Sequence, residues 1–217
     1  MIKLALLPTL LLFTACSFQT PQNNWHYKSS AIFDSYTKNY LSGNDTLAKS
    51  DLKRALHQAS LGADVQAVAK IYLGECALKI SLTREYSCDK YKKIQTITKS
   101  SELNAYYNFI TQNFEESDIE LLPKQYRSFA EALKQQEYKK ANEYVREIEP
   151  TTSQLIAAAL LGDNLSEESI NATIKAASFH GYKRAALSNL ELLKSRTNDP
   201  KRSEEISAKI KLLQSIK

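Results

Sequence analysis

The chain has 217 residues, a length that predicts one domain or at most two small ones, and its five Gly and five Pro are too few turn formers for an all-β fold. Hydrophobic residues at 43% and charged residues at 24% allow a packed core and exclude wholesale disorder. Lys and Arg exceed Asp and Glu by 29 to 24, too mild an excess for the strongly basic domain of a nucleic-acid binder.

The opening MIKLALLPTLLLFTAC reads as an export signal. Lys3 supplies a positive start. The apolar stretch from Leu4 to Phe13, interrupted by Pro8, is far shorter than the about 20 residues a membrane-spanning helix needs. Small residues, Thr14 and Ala15, precede Cys16. Phe13-Thr14-Ala15-Cys16 resembles the lipobox of bacterial lipoproteins, with Phe13 where Leu, Val or Ile is usual. The resemblance implies cleavage before Cys16, diacylation of its sulfur and acylation of the new amine. Two or three acyl chains anchor far more firmly than one, at ~0.8 kcal/mol per buried CH₂. Lipoproteins kept at the inner membrane often carry Asp after the Cys. By that resemblance Ser17 favours the outer membrane, and its periplasmic face is the expected location. The expected organisation is a lipoprotein signal peptide over 1–15, a lipidated tether over 16–24 and a helical repeat-like domain over 25–217.

From Trp25 onward the hydrophobic pattern predicts helices at nearly every window. The first runs from Trp25 to Leu41 and ends at Ser42-Gly43-Asn44-Asp45. The second, Thr46 to Leu61, ends at Gly62, a residue suited to the left-handed conformation of helix ends. Asp64 caps a third, in which Val65, Val68, Ala69, Tyr72, Cys76 and Ile80 fall on one stripe expected to be buried. Ser81 to Ser87 is the least helical stretch. Helices resume over Cys88 to Thr98 and from Ser101. Leu121 to Pro123 breaks the pattern, with Pro123 suited to a first turn. Lys124 to Gln136 and Glu137 to Glu149 follow, and Pro150 stops the second. An Ala-rich helix runs from Thr151 to Leu161 and ends at Gly162. The next starts at Asn164 or Ser166 and ends at Gly181. Tyr182 to Arg196 and a last helix opened by Asp199-Pro200 complete the chain. No run alternates as a strand does. The fold class predicted is all-α, with antiparallel helix pairs stacked as a short α-solenoid, since short connections force antiparallel neighbours.

Setting Cys16 aside, Cys76 and Cys88 form an even pair in a chain expected to enter an oxidising compartment. A disulfide is favoured over two buried free thiols, and the bridge would contribute about 2–3 kcal/mol. Two Cys with no nearby His make a poor metal site.

The stretch from Ala130 to Pro150, AEALKQQEYKKANEYVREIEP, resembles a tetratricopeptide repeat. Tyr138 takes the turn-aromatic position, Ala141 the small one and Tyr144 the following aromatic, and Pro150 closes the unit. Gln136 stands where the family prefers Gly. Elsewhere Ala-rich helix ends before Gly62, Gly162 and Gly181 resemble Sel1-like repeats, without a fixed period. The tetratricopeptide/Sel1-like resemblance implies a concave surface that holds another envelope protein or peptide, not catalysis. Tyr126, Tyr138 and Tyr144 are the partner-binding candidates, Tyr being a favoured contact residue.

No HExxH, GxSxG or Gly-rich phosphate loop occurs, and His26, His57 and His180 lie in unrelated contexts. No cofactor, metal or nucleic-acid partner is expected, and membrane contact is expected through the lipid anchor. The carboxylates Glu115, Glu116, Asp118 and Glu120 are read as an acidic linker favouring the next helix start. The alternative is a peptidoglycan-acting enzyme or a cell-wall-binding lipoprotein, which would draw on that cluster. Basic residues gather over Lys90 to Lys99 and after Tyr182, where nine Lys or Arg face four Asp or Glu. Such patches are read as solvated helix faces, with contact to an acidic partner or anionic lipid as the alternative.

Overall fold

A computed structural model of the protein describes residues 24–84 and 87–215. Among them are twelve α-helices and no strand. They are α1 (Asn24–Ser42), α2 (Asp45–Leu61), α3 (Val65–Thr83), α4 (Asp89–Thr98), α5 (Ser101–Ile110), α6 (Glu116–Ile119), α7 (Lys124–Lys134), α8 (Tyr138–Glu147), α9 (Thr151–Leu161), α10 (Glu167–Phe179), α11 (Lys183–Arg196) and α12 (Pro200–Ser215). The all-α class read from the pattern holds. The expected signal peptide and Cys16 lie outside the described residues. No described helix is long and apolar enough to cross a membrane.

Local chemistry sets most boundaries. Asp64 accepts from the N–H groups of Gln66 at 2.9 Å and Ala67 at 3.1 Å, capping α3 as expected. Ser100 caps α5 and Ser166 caps α10 in the same way. Pro123 and Pro150 sit at the N-caps of α7 and α9, one residue before the first turn. Gln136, standing where the repeat pattern prefers Gly, takes the left-handed conformation all the same, with φ +58°. The Glu137 N–H then reaches back to the Ala132 carbonyl at 2.8 Å and closes the turn.

Three sequence expectations are corrected here. Gly62 is right-handed, with φ −82°, and the left-handed residue is Ala63. Gly62 is required for space, because a Cβ there would stand 2.3 Å from Trp25 Cε2. The stripe drawn on α3 is also too narrow. Val65 is 39% exposed, while Ile71, Leu73, Ala77 and Leu78 are buried on other sides of the helix. The helix also continues through Ser81, to Thr83. It is buried nearly all round because helices distant in sequence enclose it.

The packing explains this. Over α7 to α12 the helices pair in series, α7 with α8, α9 with α10 and α11 with α12. In addition α7 lies beside α9, and α8 beside α10. The N-terminal helices do not extend this stack. They return onto it: α3 packs on α9 and α11, α1 on α11, and Phe109 of α5 on Phe129 of α7. The chain's own α5, α3 and α1 thus lie against α7, α9 and α11. Polar ties secure the closure. Ser188 donates to the Leu82 carbonyl at 2.9 Å, Ser42 to the Gly181 carbonyl at 3.1 Å, and Arg184 pairs with Asp45 at 2.5 Å while stacking over Tyr40.

Candidate functional site

Cys76 and Cys88 stand at disulfide-bonding distance, Sγ–Sγ 1.95 Å with Cα atoms 5.4 Å apart. The pair fastens the start of α4 to the middle of α3. Beside it the buried Glu75 carboxylate accepts from Lys79 at 2.6 Å and Lys90 at 2.8 Å, a second tie between the same helices. These groups are structural in their surroundings, since each faces a partner within the fold.

The acidic cluster is likewise engaged. Glu115 and Asp118 form a reciprocal capping box at the start of α6, so the charges serve a four-residue helix between α5 and α7. Asp118 also accepts from Asn108 at 3.1 Å, and Glu115 pairs with Lys134 at 3.0 Å. Among the described residues no group of three His, Cys, Asp or Glu is placed to hold a metal ion.

The three tyrosines read as one partner-binding set separate into two places. Tyr126 is 2% exposed and belongs to the core, which corrects its assignment as a surface contact. Its ring packs on Phe109, with centroids 5.1 Å apart, and on Tyr106. Tyr138 and Tyr144 are half-buried on α8, packed on one side against the core. On the other side they line a shallow depression of about 810 Å³ with Glu137, Lys140, Glu143 and Glu147. Ala141 and Ala132, fully or almost fully buried, let α7 and α8 approach closely.

Burial pushes the Tyr126 phenol up to about 12, from an ordinary value of 10.0, although Ser153 and Tyr106 beside it pull the other way. The folded value lies above the unfolded one, so this stability is complete below about pH 10 and is lost as pH rises toward 12. Tyr126→Phe is expected to remove about 2 kcal/mol of that alkaline loss. Urea unfolding at mildly and strongly alkaline pH measures it, and parallel losses in both proteins would show that the phenol is solvated.

A deeper cleft lies where α1, α3, α5, α7 and α9 meet, with a volume of about 810 Å³. Its floor is apolar and includes Phe33, Leu73, Leu103, Leu122 and Ile156. Its rim carries Lys38, Lys70, Lys124 and Arg127, against the carboxylates of Asp34 and Glu102. The first turns of α7 and α9 line one wall, and neither Pro123 nor Pro150 supplies a side-chain cap. Their free N–H groups add a positive field. Glu102 is held below its ordinary range, first by its own backbone N–H and then by the Ser100 hydroxyl at 2.8 Å. His180 stands at the mouth, stacked on Tyr182 and edge-on to Phe179, whose ring is 85% exposed. In mid-α3, Gly74 gives Phe33 its place on the floor, since a Cβ there would lie 2.5 Å from Phe33 Cζ.

Sequence reasoning did not find this cleft. Its residues are drawn from five helices between Phe33 and Tyr182, and no local pattern links them. The one available signal was Gly74, an isolated glycine inside an apolar helix, which marks a close approach. No known family, curated protein or solved structure matches the chain.

Proposed function

We propose that the protein is a lipid-anchored lipoprotein of the bacterial envelope that holds another envelope protein or peptide and performs no chemistry on it. Cys16 is the anchor, and the periplasmic face of the outer membrane is the expected site. The observation that carries the reading is the pair Tyr138 and Tyr144. Each is backed by the core and presents its other side to an open, mixed-charge depression. Tyrosines held in this way offer contact area with little conformational entropy left to lose, which is the chemistry of protein-binding surfaces. The Cys76–Cys88 pair supports an oxidising compartment.

Substitution of both rings tests the reading. In cells, crosslinking of the full chain followed by mass spectrometry identifies the captured protein. Tyr138→Gln with Tyr144→Gln is expected to lower capture roughly 30-fold if each ring is a contact of the usual hot-spot strength, while the folded chain persists at the membrane. Undiminished capture by a folded variant overturns the assignment of this surface. Loss of folding would instead make the two rings core residues.

A further inference from the structure

We propose that the cleft between α1, α3, α5, α7 and α9 binds an anionic amphiphile, an acyl chain with a carboxylate or phosphate head. Volume, floor and rim each bear on this. About 810 Å³ falls within the range of small-molecule sites. The floor residues Phe33, Leu73, Leu103, Leu122 and Ile156 are apolar, and the polar groups of the lining include Thr37, Tyr106, Gln125, Tyr126 and Ser153. A peptide backbone pressed on those five apolar side chains would leave each N–H and C=O group that does not reach the few polar ones unsatisfied, at a cost of several kcal/mol in the least favourable case. An acyl chain carries no such groups and gains from leaving water.

The rim selects the charge. Four cationic side chains face two carboxylates, and one of these, Glu102, already feels Lys70. Lys38 and Lys124 are exposed and enter no ion pair among the described residues, so their charge is available to a ligand. Arg127 is anchored by donating to the Leu122 carbonyl at 2.9 Å, which fixes its guanidinium beside the cleft. The head thus meets fixed and mobile positive charge at the mouth, while the chain lies on the floor beneath. This site is separate from the α8 surface, and either can fail without the other.

The test uses the full chain, purified and stripped of lipid, titrated calorimetrically with monomeric dodecanoate, dodecanol and dihexanoyl phosphatidylglycerol. Dodecanoate is expected to bind roughly tenfold more tightly than dodecanol and to weaken as salt is raised. Lys38→Glu with Lys124→Glu, both at exposed positions, is expected to erase that preference and leave dodecanol unchanged. Gly74→Ala, which displaces Phe33 from its place on the floor, is expected to weaken both ligands. Tighter binding of the phosphatidylglycerol than of dodecanoate assigns the natural ligand to membrane lipid, and the reverse assigns it to free fatty acid. Absence of binding by all three overturns the proposal. So does equal affinity for dodecanoate and dodecanol, or a preference for an acidic peptide over either.

Discussion

Phe109→Ala is expected to destabilise the fold by about 3–5 kcal/mol, the range for emptying a buried aromatic site. Phe109 is 0% exposed, and its ring meets those of Tyr106, Phe114, Tyr126 and Phe129 at centroid distances of 5.1–6.3 Å. These neighbours come from α5, α7 and the segment between α5 and α6. Each helix is held elsewhere as well: α5 packs on α3, and α7 on α8 and α9. The walls therefore have little freedom to collapse into the void, which places the loss toward the upper end of the range. A domain of ordinary stability, about 5–15 kcal/mol, would be left marginal. Urea unfolding followed by far-ultraviolet circular dichroism measures it. A loss below about 1.5 kcal/mol would mean that the cluster repacks, and the joint between α5 and α7 would then be softer than the ring geometry implies.

Asn142→Leu is expected to cost about 2–4 kcal/mol by a different mechanism. Asn142 is 5% exposed, and its amide joins α8 to the turn that begins α10. The amide nitrogen donates to the Tyr138 carbonyl at 2.8 Å and the Asn164 carbonyl at 2.9 Å, while its oxygen accepts from the Ser166 N–H at 2.7 Å. Leucine has the same branched skeleton and is bulkier, so no cavity forms. The Asn164 carbonyl and the Ser166 N–H lose their partner, and because both lie at partly exposed positions each loss falls toward the lower end of the about 1–3 kcal/mol that an unpaired polar group costs. Asn142→Asp separates the two halves of the interaction. It retains an acceptor for Ser166 but sets a buried carboxylate oxygen against the Tyr138 and Asn164 carbonyls, so its cost is expected to be at least that of Asn142→Leu. If Asn142→Leu and Asn142→Asp are both neutral in urea unfolding, the α8–α10 joint is held by apolar packing alone.

Helix limits were legible because their causes are local. Asp64 and Ser166 each act within one turn, through a side-chain oxygen and an N–H two or three residues ahead. The pairing of Cys76 with Cys88 was legible for a related reason, as the two residues lie only twelve apart in the chain. The small position Ala141 was legible because the helical pattern encodes the contact of adjacent helices. Gly62 shows where local reasoning fails. A helix-end glycine suggests a left-handed turn, yet this one makes room for Trp25, which belongs to a different helix.

By itself the amino-acid sequence determined the all-α class, the order and limits of most helices, and the likeness of its first residues to a lipoprotein signal. Tertiary structure alone decided what those helices enclose. Val65 and Leu78 share an apolar character and a helix, and they part because α9 and α11 return to α3 from far along the chain. Tyr126 and Tyr144 share a residue type and a helix pair, and they part because α5 covers one and solvent meets the other. The cleft arises in the same way, from five helices whose separate patterns carry no record of one another. Capping and periodicity act over a turn or two, whereas burial is set by whichever surfaces the whole chain brings together.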